Sequence, residues 1–143
     1  MNRPVKRNKV LSHLALLKVG IAFLQETHLC NSDIPRIRRS WVGQVYHSQF
    51  NTKSRGSAIL IHKNVPFVVE KVESDVGGRF IIVSGKLFSK PVTLVNLYAP
   101  NWDDSQFFIK LFSTIPNIDS HALIIGGDFN CAIDPIWIDR HLR

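Results

Sequence analysis

Apolar positions along this chain change period several times, and each change marks an element. From Pro4, the apolar residues Val10, Leu14 and Leu17 share one face while Lys6, Arg7, Lys9 and Lys18 fall elsewhere. This spacing predicts an amphipathic helix that opens at Pro4 and ends near Gly20. The pattern then collapses into a short continuous run, Ile21 to Gln25, which suits a buried strand delivering Glu26 at its end. Runs rich in Val, Ile and aromatics follow: "VGQVYHS" from Val42, "SAILIH" from Ser57, "PFVVEKV" from Pro66, "RFIIVSGKL" from Arg79 and "VTLVNLY" from Val92. "DVGG" (Asp75 to Gly78) and "FSKP" (Phe88 to Pro91) separate neighbouring runs at hairpin-like distances, so antiparallel pairing is expected there rather than repeated strand-helix-strand units. Phe107, Phe108, Leu111 and Phe112 then make one apolar stripe of a second helix, capped by Asp103 or Asp104. "ALIIGGDFN" reads as a last buried strand whose C-terminal edge lies at Asp128. The order predicts a mixed α/β fold with helices covering sheets.

Composition narrows the class. A chain of 143 residues, 45% apolar and 20% charged, can bury a core without disulfides. With no repeats, low-complexity tracts or linkers, it reads as one continuous domain over 1–143. Cys30 and Cys131 are isolated and lack zinc-like spacing, which fits a reducing compartment, nucleus or cytoplasm. The basic start and "VLSHLALLKVGIAFL" superficially resemble a secretory signal, but His13 and Lys18 interrupt the run and no small-residue cleavage site precedes "QETH". Secretion is therefore not expected. Nor is a membrane span, which would need about 18 uninterrupted apolar residues. The 18 Lys and Arg exceed the 11 Asp and Glu, with clusters at Arg3 to Lys9, Arg36 to Arg39 and Lys53 to Arg55. Such a field attracts polyanions or an anionic membrane; on charge alone, a solvated surface and a nucleic-acid-binding one are equally good readings.

Three stretches place oxygen ligands or a phenol directly after an apolar strand: "FLQETH" with Glu26, "VNLYAPN" with Tyr98, and "IIGGDFN" with Asp128 and Asn130. Taken singly, each has a bland reading as a solvated strand end, a packed ring or a turn. Together they suggest strand ends converging on one edge, where a divalent cation would relieve the repulsion between two carboxylates. Magnesium suits hard oxygen donors and takes few protein carboxylates; manganese can stand in for it. Zinc is not supported, because no His or Cys cluster has suitable spacing.

"QETHL" at Gln25 to Leu29, "NLYAPN" at Asn96 to Asn101 and "GGDFN" at Gly126 to Asn130 resemble the endonuclease/exonuclease/phosphatase superfamily, which includes exonuclease III and apurinic/apyrimidinic endonucleases. With "PVKRNKVLSHL" and "GRFIIVSGKL", the resemblance is fullest to the endonuclease domain of non-LTR retrotransposons. It implies a four-layer α/β sandwich of two packed mixed sheets flanked by helices. It also implies roles: Glu26 binds the metal, Asp128 orients or deprotonates the attacking water, Asn130 holds the scissile phosphate and Tyr98 hydrogen-bonds to it. Asn101, Arg55 and Lys53 are expected to contact phosphate or DNA.

The sequence departs from that pattern at both ends. The resemblance would place a strand bearing an Asn before "PVKRNK", where Asn2 is no substitute, and a further Asp and an Asp-His pair beyond "DFNCAIDP". Neither His121 nor His141 matches the missing His. The expectation is a partial domain of retrotransposon origin, severely impaired as a magnesium-dependent DNA phosphodiesterase, with no obligate protein partner. Two rival readings use the same residues or the same charge: a phosphatase acting on inositol phosphates or phospholipids, and a non-catalytic nucleic-acid-binding module.

Overall fold

A computed structural model of the chain describes residues 1, 3–48 and 55–131. Lys53, Asn2 and His141 lie outside the described residues. In chain order the elements are α1 (Pro4–Leu16), β1 (Ile21–Gln25), a 3-10 turn (Asn31–Asp33) running into α2 (Ile34–Ile37), β2 (Val42–Ser48), β3 (Ser57–His62), β4 (Phe67–Ser74), β5 (Phe80–Leu87), β6 (Lys90–Tyr98), α3 (Ser105–Thr114) and β7 (Ala122–Asp128).

The described strands form two sheets, ordered β1-β3-β2 and β4-β5-β6-β7. The two anticipated hairpins are present, with β4, β5 and β6 paired antiparallel in sequence. β7 adds to β6 in parallel, in the register Tyr98↔Asp128, so the second sheet is mixed. The first is antiparallel throughout its described strands.

Alternation along the strands sorts side chains into three apolar clusters, and these define four layers. Leu11, Leu29, Ile37, Ala58 and Leu60 pack α1 and α2 on the outer face of the first sheet. Ile59, Ile61, Ile81, Val83 and Leu94 fill the space between the sheets. Phe80, Ile82, Val95, Leu97, Phe107 and Leu111 seat α3 on the outer face of the second. The architecture is a helix-sheet-sheet-helix sandwich.

Several local expectations change. α1 stops at Leu16 and buries Arg7 and Leu11, whereas Leu17 is exposed; Lys18, in a left-handed conformation, turns the chain away. Arg7 can be buried because Asp33 answers its charge at 2.8 Å. On α3, Asp104 supplies the cap by accepting from Phe107 N, and Phe112 faces solvent while Ile115 takes the core position. β7 is not buried: Ile124 is 45% exposed. Among the described strands the second sheet has four and the first three; β1 packs on β7 where Phe23 meets Gly126, and Ile124 is left without full cover.

Candidate active site

Strand ends converge at one end of the sandwich. β1 ends at Gln25, and Glu26 follows with φ 51°. β6 ends at Tyr98, and β7 ends beside it at Asp128, locked by Ala99 N donating to Asp128 O at 2.8 Å. The Tyr98 hydroxyl crosses between the two sheets and donates to Glu26 Oε1 at 2.9 Å. The expected convergence is therefore present for Glu26, Tyr98 and Asp128.

The two glycines before Asp128 have steric reasons to be there. A Cβ on Gly126 would stand 2.7 Å from Phe23 Cδ2, and one on Gly127 would stand 2.0 Å from Leu97 O. Gly127 also has φ +136°, a conformation L side chains rarely adopt. Asp128 therefore reaches the edge on a kinked backbone packed closely on its neighbours.

Asn130 closes the site. Its backbone N donates to Asp128 Oδ1 at 3.0 Å. Its side-chain Nδ2 donates to Ala99 O at 2.8 Å and to Asn101 Oδ1 at 2.9 Å. Both amide hydrogens are engaged, so Asn130 could donate to a phosphate only by releasing one partner. Asn101, expected as a phosphate contact, here accepts from Asn130 through its Oδ1. Glu26, His28, Arg55 and Asn130 all adopt left-handed φ, four of the eight such non-glycine residues among those described. Strain gathered at one edge is the pattern that functional sites show.

A buried amide sets the distance between the sheets here. Asn96 is fully buried and donates from Nδ2 to Leu24 O at 2.9 Å and to Ala58 O at 2.8 Å. Its Oδ1 accepts from Gln25 Nε2 at 2.7 Å. Sequence reading quoted Asn96 only as part of a motif. An amide amid the apolar run "VTLVNLY" was the available signal, because a buried polar side chain needs partners.

Arg79 was also missed. Its Nη1 donates to Tyr98 O at 3.2 Å, and its guanidinium lies 5.5 Å from the Tyr98 ring centroid and 5.6 Å from that of Trp102. Its backbone N donates to Asp75 Oδ2 at 3.2 Å. Burial, and then the charge of nearby Arg55, lower the pKa of Arg79. Arg55 therefore belongs to the same positive rim; its Nη1 donates to Gly77 O at 3.4 Å. The Tyr98 pKa is raised, first by the hydrogen bond to Glu26, then by burial and the Glu26 charge, so the phenol stays protonated at neutral pH. His121 lies at the far end of β7, with Nδ1 at 3.2 Å from Thr93 Oγ1, and takes no part in this edge.

The donor set fits a hard cation. Glu26 and Asp128 carry hard carboxylate oxygens at this edge, the donor type of which magnesium takes one or two while keeping waters. Among the described residues no three of His, Cys, Asp and Glu gather in one place.

No family model matches the chain. It is 31% identical over 134 residues to the transposon TX1 uncharacterized 149 kDa protein of Xenopus laevis, covering 92% of this chain and 10% of that protein. TDP2 from C. elegans superposes with TM-score 0.66 at 22% identity, covering 90% of this chain and 43% of the other. D. rerio TDP2 complexed with a single strand DNA product gives 0.65 at 15%, covering 93% and 56%. The endonuclease domain of TRAS1, a telomere-specific non-LTR retrotransposon, gives 0.62 at 14%, covering 92% and 56%. The chain thus spans about a tenth of the curated relative and about half of each of these solved structures.

Proposed function

We propose that this chain, whose fold is that of the endonuclease/exonuclease/phosphatase superfamily, carries the metal-binding and phosphate-binding edge of a DNA phosphodiesterase of retrotransposon descent. The observation that carries the reading is the 2.9 Å hydrogen bond from Tyr98 to Glu26 across the sheets, beside Asp128 in register. It places one carboxylate from each sheet at the same end of the sandwich.

Glu26 would hold magnesium through the carboxylate oxygen that Tyr98 leaves available. When bound, the metal neutralises charge on the phosphoryl and leaving oxygens. Asp128 has one oxygen fixed by the backbone N of Asn130, and its other oxygen would orient the attacking water. Asn130 would exchange Asn101 for a phosphate oxygen, and protonated Tyr98, whose single O–H is given to Glu26 Oε1, would donate to the same group only by releasing Glu26. Arg79 and Arg55 supply positive charge at the rim, as sequence-independent contact with a phosphodiester backbone requires.

The reading is tested with supercoiled plasmid and magnesium. Slow nicking is expected, lowered about 100-fold or more in Asp128→Ala, as for loss of a group that activates the nucleophile. Glu26→Ala is expected to abolish both nicking and manganese binding measured by electron paramagnetic resonance. Equal nicking by all three proteins would sink the reading. Salt-dependent DNA binding with no nicking and no metal response would leave a non-catalytic nucleic-acid module instead. Release of phosphate from soluble phosphoinositides in preference to plasmid cleavage would select the phosphatase alternative.

A further inference from the structure

At the opposite end of the first sheet, α1 and α2 enclose a cleft of about 500 Å³ lined by Arg7, Ser12, Arg36, Arg39, Ser40 and Trp41. Trp41 immediately precedes β2, whose other end, Ser48, lies toward the catalytic edge. At about 3.3 Å per residue, the strand alone separates the two places by about 20 Å.

The charge of this layer is almost uncompensated. Residues 1–41 hold eight Lys and Arg against two acids, Glu26 and Asp33. Glu26 belongs to the catalytic edge. Asp33 is answered inside the protein: Arg7 Nη1 donates to it at 2.8 Å, and Cys30 N and Sγ each donate at 3.1 Å. Arg7 and Asp33 are both buried, so this pair stiffens the wall of the cleft without cancelling Arg36 and Arg39. Those two arginines are exposed and three residues apart, a spacing that puts them on one side of a helical turn. Trp41 forms a fixed flat wall. Its Nε1 donates to Leu11 O at 2.9 Å, and its ring stacks on His62 at 5.8 Å with planes 19° apart.

We propose that this cleft is a second phosphate-binding site, taking the backbone of a nucleic-acid strand whose other part lies at the catalytic edge. Guanidinium forks match phosphate oxygens in pairs, and a fixed indole offers a face to a base or sugar. A flat anionic membrane fits less well, because the arginines line a recess rather than flanking exposed Leu16 and Leu17. The inference rests on the nucleic-acid part of the proposed function and does not require hydrolysis.

At about 3.4 Å per stacked nucleotide, the separation of the two sites needs about six nucleotides. The test uses the whole chain without metal and measures fluorescence anisotropy of labelled single-stranded DNA of about 20 and about 4 nucleotides across a salt series. Replacing Arg36→Ser and Arg39→Ser together is expected to flatten the slope of log affinity against log salt for the longer strand by about 1.4, two contacts at about 0.7 each. The short strand cannot reach both sites at once, so its slope should change by less. Replacing Arg36→Lys and Arg39→Lys together should restore most of the slope, which a merely misfolded chain would not do. An unchanged slope for the longer strand in the serine variant overturns the proposal. So does saturation of the cleft by inorganic pyrophosphate, read by Trp41 fluorescence, with no response to the longer strand. Vesicles of phosphatidylserine whose binding alone is lost in the serine variant would likewise overturn it. A chain that never nicks plasmid but shows the expected slopes leaves this site standing; nicking with unchanged slopes removes this site alone.

Discussion

Asn96 and Tyr98 sit two residues apart on β6 and do different jobs with the same neighbours. Asn96 holds the sheets together below the edge, and Tyr98 bridges them at the surface. Replacing Asn96→Leu leaves Leu24 O, Ala58 O and the Gln25 amide without their buried partner. The expected cost is about 3 kcal/mol, read as a shift in the urea midpoint at constant slope. Tyr98 makes a pH-dependent contribution of the opposite kind. Its pKa is raised by donating to Glu26, so the contribution is complete below the ordinary phenol pKa and is lost as pH climbs through the raised one. In Glu26→Gln, phenolate absorbance from Tyr98 should appear at lower pH, while that of Tyr46, raised chiefly by burial, stays in place. If the Tyr98 titration stays where it was in Glu26→Gln, the bridge is absent in solution. Motif residues were legible in the sequence because each follows an apolar run. The Asn96 clamp was not, since its partners lie 38 to 72 residues away.

Among the elements, strands and hairpins were readable because alternation and turn residues are local properties. Which face each helix buries was less so. The α1 periodicity favoured Leu17, but the helix turns its Arg7 and Leu11 inward because Asp33, in the next helical segment, supplies the counter-charge. Burial alone would raise the Asp33 pKa; the hydrogen bonds from Cys30 and Arg7 outweigh it and hold the group below its ordinary value of 3.8. The stability it contributes is therefore present above that pH and lost as pH falls through the lowered pKa. Replacing Arg7→Leu strands a buried carboxylate and should cost about 3 kcal/mol, with acid unfolding losing its steepest step. Leaving both melting temperature and acid midpoint untouched would show the pair to be incidental. The β6-β7 joint makes a parallel case. Gly127→Ala forces a Cβ toward Leu97 O, so β7 must shift along or away from β6. Amide exchange should accelerate in β7 while β4 and β5 remain protected.

Across the whole molecule, sheet widths decide which surfaces are dry. Among the described strands three lie against four, and Ile124 on the inner face of β7 stands 45% exposed. Among the described residues no strand pairs with the outer edge of β7. Sequence reading expected a buried strand here because "ALIIGG" is continuously apolar, and a period gives no information about how many strands lie opposite. An apolar, unpaired edge is a template for another chain. The 143-residue chain should therefore self-associate reversibly as concentration rises, through this edge and not through the basic helical layer. Replacing Ile124→Lys puts a charge on the exposed inner face without touching the α3 contacts of Leu123 and Ile125, and should return the sedimentation profile to monomer. Adding salt separates the causes further, since screening weakens like-charge repulsion between basic layers and should promote an apolar contact. Self-association that persists in Ile124→Lys, or that salt dissolves, would place the contact elsewhere and leave the β7 edge solvated.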